Sequence, residues 1–121
     1  MPGADPAVTT RLARAAVALA AVALALLSLL PRDQMVRTGA AGWSEHLVAY
    51  GGTMTLVAIG YADRIGLARP CAALIVYAAL LEIGQTLSPG RTPAFTDFLA
   101  GAAGALAAAL VAAALRRHRQ R

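Results

Sequence analysis

The sequence is poor in charge, contains no lysine and has a single cysteine. Charged residues make up 14% of its 121 residues, whereas hydrophobic residues make up 59%. A soluble domain is typically about half apolar and about a quarter charged, so this composition is a poor match to one. The lone cysteine, Cys71, excludes an internal disulfide and lies inside an apolar block, where it is predicted to be a small packing residue.

A polar face is also missing from the longest apolar segments. Residues 15–30 and 98–115 are apolar all the way round a helix, whereas each helix of a soluble bundle needs a polar outer face. A soluble four-helix bundle is therefore excluded, and lipid is the expected solvent. The length allows one domain.

Four apolar blocks predict an all-α, polytopic membrane protein with four transmembrane helices. Each block is close to the roughly 20 residues that cross a bilayer. Residues 1–10 are predicted to be a disordered lead, residues 11–115 the membrane domain and residues 116–121 a basic tail. The predicted spans are residues 15–31, 43–61, 70–87 and 94–115.

The arginines predict the orientation of these spans. The N-terminus, the turn at 62–69 and the C-terminus lie on one side of the membrane and hold eight of the eleven arginines. Positive charge favours the cytoplasmic side, so both termini are predicted to be cytoplasmic. The tail at 116–121 is predicted to anchor the last helix. No fold for reading bases accompanies it, so nucleic acid is not expected as a partner.

Polar residues from three predicted helices fall at the outer membrane face. Glu82 lies about 7.5 Å below the end of its block by helical rise, where an unpaired carboxylate is costly. Glu82 and Asp97 are predicted to face inward, bridged by Arg91 or by a cationic group of a ligand. The predicted polar cluster, which is either ligand-binding or structural, consists of His46, Tyr50, Glu82, Gln85, Arg91 and Asp97.

One plainer interpretation of this cluster stays open. Glu82 and Arg91 could form a structural ion pair that fixes the outer turn. A metal site of His46, Glu82 and Asp97 lacks a closely spaced ligand pair such as His-x-x-x-His. No metal and no other cofactor is therefore expected.

The connection between the third and fourth blocks carries turn and capping signals. Pro89 and Gly90 suit the two central positions of a type II turn. Thr92 and Pro93 suit the N-cap and the first position of the fourth helix.

The fourth predicted helix carries small residues on one face. Asp97, Gly101 and Gly104 recur at helical spacing and form one stripe. Glycines on such a stripe predict close approach of a neighbouring helix.

One segment carries a combined motif, EIGQTLSPGRTPAFTDFLAGAAGAL, at residues 82–106. This motif resembles the signature of the VanZ-like family of small bacterial membrane proteins, and the resemblance covers about residues 43–110. Where family members commonly have an Asp-Lys pair before the histidine of the second helix, this chain has Gly42 and Trp43. Where an Asn or Asp often stands on the fourth helix, it has Gly101. The residues that match the family pattern are His46, Tyr50, Glu82, Gln85, Pro89, Gly90, Arg91, Asp97 and Gly104.

The resemblance implies a multi-pass protein of the bacterial cytoplasmic membrane with a role in the cell envelope. The family's namesake is associated with resistance to the glycopeptide teicoplanin. The first function that remains open is binding of a membrane lipid or a lipid-linked envelope precursor, with Arg91 suited to phosphate. The second is a membrane hydrolase or transferase with His46 as base, although no nucleophile is assigned. The third is a structural or assembly role through contacts with other membrane proteins.

Overall fold

The computed structural model describes residues 3–121, and every regular element in that range is helical. Two short 3-10 turns, Arg32–Gln34 and Gln85–Leu87, lie at the ends of connections. The predicted all-α fold is confirmed. The four helices are α1 (Pro6–Leu29), α2 (Gly42–Ile65), α3 (Ala68–Gly84) and α4 (Phe95–Arg119).

Three of these helices are long and apolar enough to cross a membrane. They are α1, α3 together with its 3-10 turn, and α4. Helix α2 has 24 residues, so its composition, not its length, sets it apart. It carries the polar stretch Gly51–Thr53 at its centre, and it contacts all three other helices. A helix sheltered by protein on several sides can tolerate polar groups that a lipid-facing helix cannot.

Helix α1 begins earlier than predicted. The Asp5 side chain accepts a hydrogen bond of 2.9 Å from the Ala7 amide, and Pro6 occupies the first turn. Both are favourable at a helix start. The predicted disordered lead at 1–10 is therefore wrong from Pro6 onward, and residues 1 and 2 lie outside the described range. The predicted basic tail is likewise helical as far as Arg119.

Helix α4 begins two residues later than the capping signals predicted. Its N-cap is Ala94, not Thr92, and no side chain of its own segment caps it. Instead, Oε1 of Glu82 on α3 accepts the Ala94 amide hydrogen at 2.6 Å. A carboxylate is favourable at a helix N-terminus, where amides lack partners and the helix dipole is positive. A tertiary contact has replaced the local cap.

Within residues 3–121, the most extensive contact between helices is that of α2 with α4. A Cβ added at Gly104 would overlap the carbonyl oxygen of Leu47, and one added at Gly51 would lie 3.3 Å from the Gly104 oxygen. The two backbones therefore touch directly at this crossing. The predicted glycine stripe of α4 lies on this contact.

The core is formed around α2. Helix α1 adds one buried residue, Ala13, packs Val17 and Leu24 against the buried apolar cluster and makes polar contacts with α2 and α3. Arg14 donates to the Gly60 oxygen at 2.7 Å, and the Tyr77 hydroxyl donates to the Ala21 oxygen at 2.5 Å. The buried apolar cluster comprises Tyr50, Met54, Val57, Cys71, Leu74, Ala78, Ala105 and Ala109.

Candidate functional site

His46 lies between two carboxylates from two other helices. Its Nε2 is 4.0 Å from Oε2 of Glu82 on α3, and its Nδ1 is 3.9 Å from Oδ2 of Asp97 on α4. Nδ1 is also 2.9 Å from the carbonyl oxygen of Gly42. Because a carbonyl can only accept, Nδ1 carries a hydrogen. In the neutral ring, Nε2 then has no hydrogen, and its lone pair lies towards Glu82. A hydrogen bond between Nε2 and the Glu82 carboxylate therefore needs a proton on one of these two groups.

Tyr50 and Gly101 set the orientation of the His46 ring. The Tyr50 ring is 2% exposed and stacks with the His46 ring, with centroids 6.3 Å apart and planes 11° apart. A Cβ at Gly101 would lie 3.0 Å from the Tyr50 ring. The absence of a side chain at Gly101 therefore allows Tyr50 to lie against α4 beneath the histidine.

Glu82 and Gln85 are both buried. Glu82 is 8% exposed and Gln85 is 3% exposed. Both lie towards the end of α3 and its 3-10 turn, one helical turn apart. The Glu82 carboxylate divides its oxygens between the start of α4 and the His46 ring. Glu82 therefore joins three helices at one point.

Arg91 lies apart from the carboxylates that it was predicted to bridge. It forms no salt bridge with any residue of the described range 3–121, so the ion pair with Glu82 is not found. His46 occupies the position between Glu82 and Asp97 that was predicted for Arg91. The turn before Arg91 has the predicted form, since Gly90 has φ +73° and the Arg91 amide donates to the Ser88 oxygen at 3.1 Å.

Arg37 is a site residue that the sequence did not reveal. A Cβ placed at Gly42 would lie 3.4 Å from Oδ2 of Asp97 and 3.8 Å from a guanidinium nitrogen of Arg37. The carboxylate and the guanidinium therefore flank the same backbone position, one turn before His46. The connection after α1 therefore places a cation at the start of α2. Helical or strand spacing does not predict that residue 37 lies beside Gly42, because the chain between these two residues is irregular.

An amphiphilic cleft opens between α1, α2 and the connection that joins them. Its volume is about 490 Å³. Its lining is mostly apolar but includes His46, Glu45 and Arg91. Thr38 borders the cleft and donates two hydrogen bonds to Glu45, of 3.1 and 2.6 Å, which hold the connection over α2. The apolar lining residues of this α1–α2 cleft include Leu24, Leu27, Met35, Val36, Val48 and Ala49.

The described residues do not form a metal centre. No group of three or more His, Cys, Asp or Glu side chains in residues 3–121 is placed to hold a metal ion. The geometry instead offers a histidine between carboxylates, an unpaired guanidinium and an apolar wall. These groups suit recognition of a phosphate-bearing amphiphile.

Comparisons with protein-family models, with curated proteins and with solved structures found no match to this chain. The resemblance to the VanZ-like family therefore stays a prediction from the motif.

Proposed function

We propose that this chain is a VanZ-like protein of the bacterial cytoplasmic membrane that binds the headgroup of a lipid or lipid-linked cell-wall precursor in the α1–α2 cleft. The proposal rests on the residues that line this cleft. Its charged and polar lining residues include Arg91, His46 and Glu45, and aliphatic side chains make up much of the rest. A ligand with a charged head and a hydrocarbon chain matches both parts.

The proposed orientation has four spans and cytoplasmic termini. Three helices have the length and composition of spans, and α2 is sheltered among them. Most arginines then lie inside, and the cleft opens near the outer surface. An Arg91→Cys substitution in a Cys71→Ala background tests this orientation. It should react with an impermeant thiol reagent applied to intact cells. Reaction only after lysis would place the cleft on the cytoplasmic side.

Arg91 is the proposed phosphate ligand. Its guanidinium has no carboxylate partner in residues 3–121, so its donors are free for a bidentate contact with phosphate oxygens. The aliphatic wall can cover part of an acyl or prenyl chain. The bilayer is equally apolar, so the headgroup contacts carry most of the affinity. Teicoplanin itself bears a lipid tail. A change in how such a lipid is exposed at the outer leaflet would therefore account for the resistance that is associated with the family's namesake.

Native mass spectrometry of the gently purified protein tests the proposal. The wild type should retain a discrete phosphate-bearing lipid that Arg91→Ala loses. Arg117→Ala is the matched control, because Arg117 is exposed at the opposite end of α4 and should leave the adduct in place. If all three proteins carry only bulk lipid, headgroup binding in this cleft is refuted.

A membrane hydrolase or transferase is the second candidate. It is favoured by the His46 geometry, in which Nδ1 donates to the Gly42 oxygen. This leaves Nε2 available as a general base. Under this proposal, His46→Asn retains the bound lipid-linked precursor but abolishes its turnover. A wild type that releases no product from the co-purified precursor excludes catalysis on that ligand.

A structural role is the third candidate, favoured by the Glu82 bond to the Ala94 amide. It predicts that Glu82→Ala lowers the yield of folded protein while Arg91→Ala does not. The reverse pattern, with Glu82→Ala folded but unable to bind lipid, contradicts it.

A further inference from the structure

A second pocket lies between the outer end of α3 and the start of α4. Its volume is about 500 Å³. It shares no lining residue with the α1–α2 cleft, and no arginine, lysine or histidine borders it. Its lining residues are Ala79, Glu82, Ile83, Thr86, Pro93, Phe95 and Phe98.

The carboxylate of Glu82 is the one charged group among the residues that line this α3–α4 pocket. Its Oε1 accepts one amide hydrogen, from Ala94. Its nearest basic group in residues 3–121 is the His46 ring at 4.0 Å, which is charged only when protonated. A buried carboxylate without a permanent cationic partner is costly. A cationic ligand in the pocket would supply the missing charge.

Two aromatic rings line the same pocket. The Phe95 and Phe98 rings have centroids 5.9 Å apart and planes tilted by 31°. Phe95 is 72% exposed, so a large aromatic surface lies open beside a buried acid. The faces of aromatic rings attract cations such as ammonium groups. This attraction is strongest when the cation is desolvated. The aliphatic part of the lining, including Ile83, suits a hydrocarbon chain.

We infer that the α3–α4 pocket binds an organic ammonium group carried on an apolar chain. Glu82 supplies the opposite charge, Phe95 and Phe98 supply the aromatic faces, and the surrounding lipid supplies the route of access. Two sources share this chemistry: the amine headgroup of a zwitterionic phospholipid and a free cationic amphiphile. The inference does not require the phosphate site, because Arg91 and His46 do not line this pocket. The two sites are nevertheless neighbours, since Oε2 of Glu82 lies 4.0 Å from His46 Nε2.

The chain itself provides a local probe, since Phe95 and Phe98 are its only two phenylalanines. Incorporation of 4-fluorophenylalanine places two ¹⁹F labels, both in the pocket. The full chain is reconstituted in phosphatidylglycerol nanodiscs, which contain no amine lipid, and titrated with dodecyltrimethylammonium. Both resonances should shift and saturate. 1-Dodecanol, which has the same chain without the charge, should not produce this saturating shift.

Variants identify the residues responsible. Glu82→Gln should weaken binding by about tenfold or more, because a charge-assisted contact is lost. Phe98→Leu, followed at the remaining Phe95 label, should weaken it by about two- to fivefold. This second variant keeps the test valid if Glu82→Gln does not fold. Arg91→Ala should bind the ammonium normally, so loss of the phosphate ligand alone counts against the proposed function and not against this pocket.

The source of the ammonium is tested by adding phosphatidylethanolamine to the nanodiscs. Competition with the probe assigns the pocket to a phospholipid headgroup, whereas unchanged probe affinity assigns it to free cationic amphiphiles. Identical responses to dodecyltrimethylammonium and 1-dodecanol would overturn the inference. Undiminished ammonium binding by a folded Glu82→Gln variant would overturn it as well.

Discussion

Replacing Gly104 by alanine should destabilise the protein by forcing α2 and α4 apart. The added Cβ would overlap the Leu47 carbonyl oxygen. That atom belongs to the backbone of α2, so no side-chain rotation can relieve the overlap. Overpacking of this kind typically costs about 1–3 kcal/mol. It opposes the gain of about 0.8–1.0 kcal/mol that alanine brings to a helix interior relative to glycine.

Gly52→Ala is the matched control for this prediction. Gly52 lies in the middle of α2, and a Cβ there would meet nothing within 4 Å. Both variants make the same chemical change inside a helix, so their propensity gains nearly cancel in the comparison. The difference between their unfolding free energies therefore isolates the overlap and should be about 1–3 kcal/mol. Gly101→Ala should fall between them, since its Cβ would meet the Tyr50 ring at 3.0 Å.

The assay is reversible unfolding in mixed micelles with rising mole fraction of dodecyl sulfate, followed by far-ultraviolet circular dichroism. Gly104→Ala should unfold at a lower mole fraction than the wild type, and Gly52→Ala at the same or a higher one. Equal midpoints for the two variants would refute direct backbone contact between α2 and α4. In that case, the glycine stripe has no packing role.

Three further changes test other contacts by the same unfolding assay. Tyr77→Phe removes the hydrogen bond to the Ala21 oxygen and should cost about 1 kcal/mol; an unchanged midpoint would mean that this bond adds no stability. Asp63→Asn breaks the 2.6 Å pair with Arg116, but Asp63 is 91% exposed, so the effect should stay below about 1 kcal/mol. A larger loss would show that this pair is not a weak surface contact. Gly90→Ala forces a side chain into the left-handed region at φ +73° and should cost about 1–2 kcal/mol, whereas a neutral result would argue against the type II turn.

The helices were predictable from apolar blocks, but their ends were not. The blocks mark where lipid can surround the chain, whereas a helix can continue into water. Helix α2 therefore extends to Ile65 past two charged residues, and α4 extends to Arg119. At the first helix, the local start signal of Asp5 and Pro6 lies ahead of the apolar run, so the run alone does not mark the helix start.

The site was predictable as a set of residues but not as a set of contacts. Helical depth alone places His46, Glu82 and Asp97 at one end of the bundle, and the structure brings these three together. The pairing of charges depends on where the irregular connections direct their side chains. Arg91 therefore lies in the cleft and not between the carboxylates, and Arg37 reaches Gly42 from a connection without periodicity.

The crossing of α2 and α4 also bears on the order in which the chain can be assembled. On composition alone, α2 lacks the apolar character of a self-sufficient span, and the helix that it packs against most extensively, α4, is synthesised after it. We expect α2 to be inserted stably in the bilayer only after α4 has been synthesised. Chains that end before Phe95 should then expose α2 to proteases, while α1 stays membrane-bound. The insertion of α2 would in this way depend on a helix made later, through the glycine that lets the two backbones touch.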